Sequence, residues 1–172
     1  MMKGQAGFEP TTSKISSLKE AKARAAQWRA EGKRMAYTNG CFDLLHAGHV
    51  RTLESARGFG EALIVGVNGD ESARNLKGPG RPVFGERERA EMVAALACVD
   101  LVVVFPEPTS LSVLEALRPE VWVKGGDYAL DTVNQEERAF VESYGGRVAL
   151  AGRVEQVSTT EIIARVKRLP GG

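Results

Sequence analysis

Histidine and cysteine are both scarce in this chain, with two of each among 172 residues. Cys41 and Cys98 lie far apart and form no CxxC pair. That excludes the common zinc spacings and a disulfide framework, and it fits a reducing compartment. No stretch approaches the roughly 18 apolar residues of a membrane span, so no membrane partner is expected. The opening MMKGQAGFEPTTSK has no apolar run of the secretory kind, so it does not read as a signal peptide. An excess of one charge sign is missing as well. Lys and Arg number 23 against 22 Asp and Glu, a formal net charge of +1. General nucleic-acid binders show a basic excess or a clustered basic face; neither is evident, and no nucleic-acid partner is expected. Two nucleotide-binding loops are also absent. Without GxxxxGK[ST] a P-loop kinase is excluded, and without GxGxxG after the first strand so is a dinucleotide dehydrogenase. If the ligand is anionic, its positive charge must be gathered locally.

What is present is a regular alternation. A hydrophobic content of 43% with 26% charged residues reads as a soluble globular chain of one-domain size. Residues 1–14, polar and rich in Gly, Pro and Thr, are expected to be disordered, with a single domain over 15–172 in a cytoplasmic protein. Ser17 and Glu20 form a capping box, followed by Leu18, Ala21, Ala25 and Trp28 at helical spacing. Apolar runs at 35–39, 62–67, 101–105, 121–124 and 147–151 read as strands. Helical segments separate them, and 75–85 reads as a Gly/Pro loop. The last helix opens with a second capping box, Ser158 to Glu161. This pattern predicts a three-layer, Rossmann-like α/β fold, with a five-stranded parallel sheet and helices on both faces. Ligands in such sheets sit beyond the carboxyl ends of the strands, where strand order reverses.

The segment TNGCFDLLHAGHV, Thr38 to Val50, follows the first of those strands and holds both histidines, His46 and His49. Three-residue spacing puts both rings on one helix face. The zinc-protease pattern needs four-residue spacing and a glutamate, and both are absent. A helix start immediately after a strand presents backbone N–H groups that favour anions. Gly48 leaves room for a phosphate to approach the backbone. Two imidazole donors beside such a helix start make a phosphate site. Thr38, Asn39 and Gly40 form the tight turn before it and are expected to contact phosphate. Phe42, Leu44 and Leu45 are expected in the core.

Thr38–Val50 resembles the (T/H)xGH signature of the nucleotidyltransferase superfamily, in its cytidylyltransferase-like branch. GVNGDESARNLKGPGRPV (66–83), RAEMVAAL (89–96), VKGGDY (123–128) and STTEII (158–163) stand in the same order as in the adenylyltransferase domain of ADP-heptose synthases. The resemblance runs from about Met35 to Arg168. It implies transfer of AMP from ATP to D-glycero-β-D-manno-heptose 1-phosphate, with release of pyrophosphate, giving an ADP-heptose for cell-surface polysaccharide. Glycerol-3-phosphate cytidylyltransferases and FAD synthetases share HxGH and an STT ending and are the alternatives. The attacking phosphate oxygen is already anionic, so no general base is required and catalysis is in-line positioning with charge stabilisation.

The resemblance implies catalytic roles for His46, His49 and Lys77, the last through phosphate contact from a closing loop that also carries Arg81 as a substrate-binding residue. It places Lys124 and Gly125 against nucleotide or phosphate, and Asp127 on a sugar hydroxyl or on Mg²⁺. Lys124 could instead pair with Asp127. Asp43 contacts substrate, orders its loop or caps a helix. Ser158, Thr159 and Thr160 meet the ATP phosphates, with Ser158 also a helix cap. Arg153 matches an arginine that contacts nucleotide in glycerol-phosphate cytidylyltransferases, although Gln156 stands where related sequences often have glycine. Mg²⁺ is expected with ATP, carried by phosphate oxygens. A homodimer and a separate heptose kinase supplying the sugar 1-phosphate are expected partners.

Overall fold

The apolar runs pair side by side. In chain order the elements are β1 (Ile15–Ser16), α1 (Leu18–Ala30), β2 (Met35–Gly40), α2 (Ala47–Arg57), β3 (Ala62–Asn68), α3 (Asp70–Lys77), α4 (Glu86–Ala94), β4 (Leu101–Phe105), α5 (Leu111–Leu117), β5 (Val121–Lys124), α6 (Gln135–Ser143), β6 (Arg147–Leu150) and α7 (Thr159–Val166). The computed structural model describes residues 9–125, 128–152 and 159–169. The sheet order is β1-β4-β3-β2-β5-β6, and every pairing is parallel.

Period-two alternation divides the core into two layers. Ala36, Leu63, Val65 and Val67 pack with Leu53 and Ala56 of α2 and Ala90, Val93 and Ala94 of α4. Met35, Tyr37, Ala62 and Ile64 face the other way, onto Ala21 and Ala25 of α1, Val113, Leu114 and Leu117 of α5, and Val141 of α6. All seven residues of β3 are buried, as its uninterrupted apolar run requires of a strand covered on both faces. The chain runs outward from β2 through β3 to β4. It then crosses back to β5 and β6 on the other side of β2. Strand order therefore reverses between β2 and β5, the place where such sheets bind ligands.

Three expectations need correction. The sheet has six strands, not five: Ile15 and Ser16 pair with Val102 and Val103. Two residues carry no readable period, so this edge strand is invisible without its partner. The segment expected to be disordered is ordered at its end. Thr11–Lys14 form a 3-10 helix, and Lys14 Nζ donates to the carbonyls of Leu96 and Val99 at 3.3 and 2.8 Å. Finally, Lys77 is not on a loop but is the last residue of α3. This helix is mostly polar, with only Ser72 and Ala73 buried and Leu76 exposed, so no apolar stripe faces the core. Its charges suit the helix dipole instead, with Asp70 and Glu71 in the first turn and Arg74 and Lys77 in the last.

The capping box of Ser17 and Glu20 forms with both of its hydrogen bonds. Ser110 occupies the N-cap position of α5 but makes no side-chain cap. Its hydroxyl donates to Glu137 instead.

Candidate active site

A cleft of about 520 Å³ opens over the reversal point, within the size range of small-molecule sites. Its described lining includes Thr38, Asn39, Gly40, Asp43, His49, Lys77, Lys124, Gly125 and Thr159. The structure thus gathers into one cavity residues from five elements that the sequence spreads over more than a hundred positions.

The floor comes from β2 and the turn after it. The chain leaves Gly40 and reverses at Phe42, whose φ of +48° is in the left-handed region, rarely occupied by a bulky residue. That turn seats the Phe42 ring in the core, 7% exposed, and sets it edge-on to His49 at 5.3 Å. A β-carbon on Gly40 would meet the same ring at 3.2 Å, so the tight turn and the ring depend on each other. Phe42 is core, as the sequence implies, and also forms cleft wall.

His46 is the N-cap of α2, and its Nδ1 accepts the Gly48 N–H at 3.1 Å. A nitrogen that accepts carries no hydrogen, so the neutral ring keeps its proton on Nε2 and can donate from there. Gly48 therefore supplies the hydrogen bond that fixes the tautomer. The His49 ring stacks on His46 with centroids 3.8 Å apart and planes 26° apart. Among the described residues His49 reaches the cleft wall, while His46, the less buried ring of the two, is not part of the lining. Burial holds His46 below the usual imidazole range. His49 is pushed down to about 4, first by burial, then by His46 and Lys77; the nearby Leu44 carbonyl opposes weakly. Both rings are thus neutral donors at pH 7.

This shift has a stability consequence. The unfolded chain binds a proton at an ordinary histidine below about pH 6.5, whereas folded His49 resists it until about pH 4. Stability is therefore lost as pH falls through that window. Thermal unfolding between pH 7 and 4 should show Tm falling with acidification, and His49→Asn should flatten the fall. An equally steep fall in the variant would assign it to other groups.

Lys124 is 7% exposed and donates to Asn39 Oδ1 at 3.2 Å. That oxygen also accepts the Trp122 indole N–H at 3.2 Å. The ammonium lies 4.8 and 4.9 Å from the Trp122 and Tyr128 ring centres. Burial lowers its proton affinity, and the Glu137 carboxylate partly restores it. A β-carbon on Gly125 would lie 3.2 Å from Thr52 Cγ2, so glycine lets the strand end approach α2.

Asp43 and Arg81 find each other. The Arg81 guanidinium pairs with Asp43, whose other oxygen accepts the Val83 N–H. Of the roles the sequence leaves open for Asp43, this geometry is that of loop ordering: it ties 81–83 to the floor of the cleft. Thr160 follows Thr159 on α7 without joining the described lining. Asp127, Arg153 and Ser158 lie outside the described residues, so the second capping box does too.

Sequence reasoning missed Arg89 and Glu137. Arg89 is fully buried and donates to the carbonyls of Cys41, Asn68 and Phe84 at 2.5, 2.7 and 3.0 Å, and to Asp70 at 2.8 Å. It fastens the loops after β2 and β3 to the start of α4. Glu137 lines the cleft from α6. Arg89 lies within the quoted RAEMVAAL match, a signal of position without one of role; Glu137 had none. Burial pushes the Cys41 thiol up, against the pull of Lys77 and Arg89, so this lining residue is not a thiolate nucleophile. No group of three or more His, Cys, Asp or Glu among the described residues is placed to hold a metal ion. Among the same residues no helix is long and apolar enough to cross a membrane.

Comparison with known proteins agrees with this geometry. A family model described as Cytidylyltransferase-like matches residues 37–165. The bifunctional protein HldE of Geobacter sulfurreducens is 50% identical over 170 residues, covering 98% of this chain and 34% of that protein. HldE of Syntrophotalea carbinolica is 54% identical over 138 residues, 80% of this chain and 28% of that protein. The chain therefore spans about a third of the length of these relatives. Among solved structures, a lipopolysaccharide core biosynthesis protein from Thermoplasma volcanium superposes with a TM-score of 0.59 at 26% identity, over 74% of this chain and all of that one. Pantoate-beta-alanine ligase from Francisella tularensis shares the fold alone, with a TM-score of 0.54 at 11% identity over 89% of this chain and 76% of that one. With a stacked histidine pair at a helix start beside the reversal point, and a family model covering most of its length, the chain belongs to the cytidylyltransferase-like family of nucleotidyltransferases.

Proposed function

We propose that this chain transfers the adenylyl group of ATP to D-glycero-β-D-manno-heptose 1-phosphate, giving ADP-heptose for lipopolysaccharide core synthesis. A phosphate oxygen of the sugar attacks the α-phosphorus, the bond from that phosphorus to the bridging oxygen breaks, and pyrophosphate leaves. The observation that carries this reading is the donor set. Neutral His46 and His49 begin α2, and the described cleft lining adds the cations Lys77 and Lys124. Among the described lining residues no serine or thiolate stands beside a histidine as a nucleophilic pair. That set suits a reaction whose nucleophile is already charged, in which the protein positions and stabilises. The likeness to the Thermoplasma lipopolysaccharide core biosynthesis protein supports the lipopolysaccharide context.

In this reading His49 Nε2 and His46 Nε2 donate to the triphosphate, and the positive end of the α2 dipole adds to them. Thr38, Asn39 and Gly40 hold phosphate from the floor, Lys77 neutralises it from α3, and Lys124 and Gly125 bound the nucleotide or acceptor. The resemblance adds Arg153, Ser158, Thr159 and Thr160 on the nucleotide, and Asp127 on sugar or metal. Arg81 and Asp43 serve substrate binding through the loop they order. Mg²⁺ fits as an ion carried by the triphosphate: of the described lining carboxylates, Asp43 is already paired with Arg81 and Glu137 already accepts from Ser110. Bound there, it would offset phosphate charge beyond what two lysines neutralise. In this reading the protein acts in the cytoplasm as a homodimer, on a heptose 1-phosphate supplied by a heptose kinase activity.

The test is pyrophosphate release with ATP or CTP against heptose 1-phosphate, glycerol 3-phosphate and FMN. ATP with heptose 1-phosphate should give the highest kcat/KM. A preference for CTP with glycerol 3-phosphate, or for ATP with FMN, would overturn the assignment.

A further inference from the structure

The cleft has two unlike ends. The groups suited to phosphate, His49 and Lys77, rise from α2 and α3. On the opposite layer, Glu137 of α6 joins the lining with Thr109 and Asn134, which precede α5 and α6. Glu137 is only 4% exposed. Its Oε1 accepts both the backbone N–H and the hydroxyl of Ser110, at 2.6 and 2.8 Å. Among the described residues no hydrogen bond engages Oε2, and it is not one of the buried side-chain atoms left without a partner, so it meets the water of the cleft. A carboxylate oxygen that meets water at a cleft wall can exchange that water for a donor on a ligand.

That oxygen repels phosphate and accepts hydroxyl or amine donors. Two parts of the proposed substrates carry donors: the hydroxyls of the acceptor sugar and the amino group of adenine. The surroundings favour the sugar. Glu137 shares the described lining with Thr109 and Asn134, polar groups matched to a polyol, and its carboxylate acts on the nearby Lys124 ammonium, a cation suited to the acceptor's own phosphate. Building on the adenylyl-transfer reading, we infer that Glu137 Oε2 accepts a hydrogen bond from a hydroxyl of the acceptor sugar and sets which sugar 1-phosphates are used.

Glu137→Gln tests this cleanly. The amide oxygen can keep both Ser110 bonds, while the free oxygen becomes a donor. Kinetics would be run with heptose 1-phosphate and with sugar 1-phosphates lacking one hydroxyl each. In the wild type one deoxy analogue should be disfavoured by roughly 10–100-fold, the range of a hydrogen bond to a charged group. In Glu137→Gln that discrimination should collapse, with KM for the sugar raised by a similar factor and KM for ATP within about twofold. Ser110→Ala, which loosens the cap but leaves Oε2 in place, should discriminate like the wild type. Unchanged discrimination in a folded, active Glu137→Gln would reduce Glu137 to a helix cap and overturn the inference while the proposed function stands. A rise confined to KM for ATP would move the contact to adenine and overturn it likewise. A wild type that uses no sugar 1-phosphate overturns both.

Discussion

Replacing His49 with alanine lowers kcat/KM for adenylyl transfer by about 10²–10³, or roughly 3 kcal/mol of transition-state stabilisation. The ring is held before substrate arrives. Phe42 meets its edge at 5.3 Å, His46 covers one face at 3.8 Å, and burial keeps it uncharged. A donor fixed in this way needs no reorganisation as charge builds on the leaving oxygens, which is why its loss falls mainly on kcat. His46→Ala should cost less than His49→Ala, because His46 is outside the described cleft lining and acts partly by stacking on its neighbour. The double variant should then lose less than the product of the two single losses, since the second ring has little left to orient. His49→Gln, which keeps an amide donor, should recover part of the rate. Steady-state kinetics on variants shown to be folded by circular dichroism decide the matter. Full turnover by a folded His49→Ala removes the histidine pair from the chemistry.

The histidine pair was legible because everything that defines it is local: a strand, a turn, a glycine and two rings within thirteen residues. The parallel sheet was legible for a similar reason, since the run at 62–67 is apolar at consecutive positions and so needs cover on both faces. What stayed hidden depends on partners remote in sequence. Ile15 and Ser16 become a strand only against Val102 and Val103. The segment 70–77 becomes a helix without an apolar stripe, steadied by Glu86, which accepts the Asp70 N–H at 2.9 Å. Asp43 takes the Val83 N–H and pairs with Arg81 across a wide chain separation, so no local pattern shows that they meet. Glu137 looks like any acidic residue in the first turn of a helix, where the dipole favours it. Only the packing of α5 against α6 buries it.

Arg89 is the clearest case of a charge whose role belongs to the fold, and its removal should be the most damaging stability change. In sequence it is one of several charged residues in ERERAEMV, a pattern that ordinarily faces solvent. In the structure it is fully buried, and three of its four hydrogen bonds go to backbone carbonyls, those of Cys41, of Asn68 at the end of β3 and of Phe84. Arg89→Met fills much of the same volume but leaves those carbonyls without a donor and Asp70 without its counter-ion. Breaking one side of a buried charged network costs about 3–5 kcal/mol, a large share of the roughly 5–15 kcal/mol that holds a typical domain together. Arg89→Lys should be only modestly better. One ammonium restores the charge, but it lacks the planar fork that reaches several acceptors at once. Urea denaturation should show the midpoint falling with little change in m, because the same surface is exposed on unfolding. The loss should also appear as activity: Cys41 lies in the floor of the cleft and Asn68 in its wall, so loosening their carbonyls widens the site that His49 serves. In the lysine variant, kcat should fall at urea concentrations well below its unfolding midpoint. If Arg89→Met unfolded with the wild-type midpoint, the buried network would carry no net stability, and the loops would be held by their apolar contacts alone.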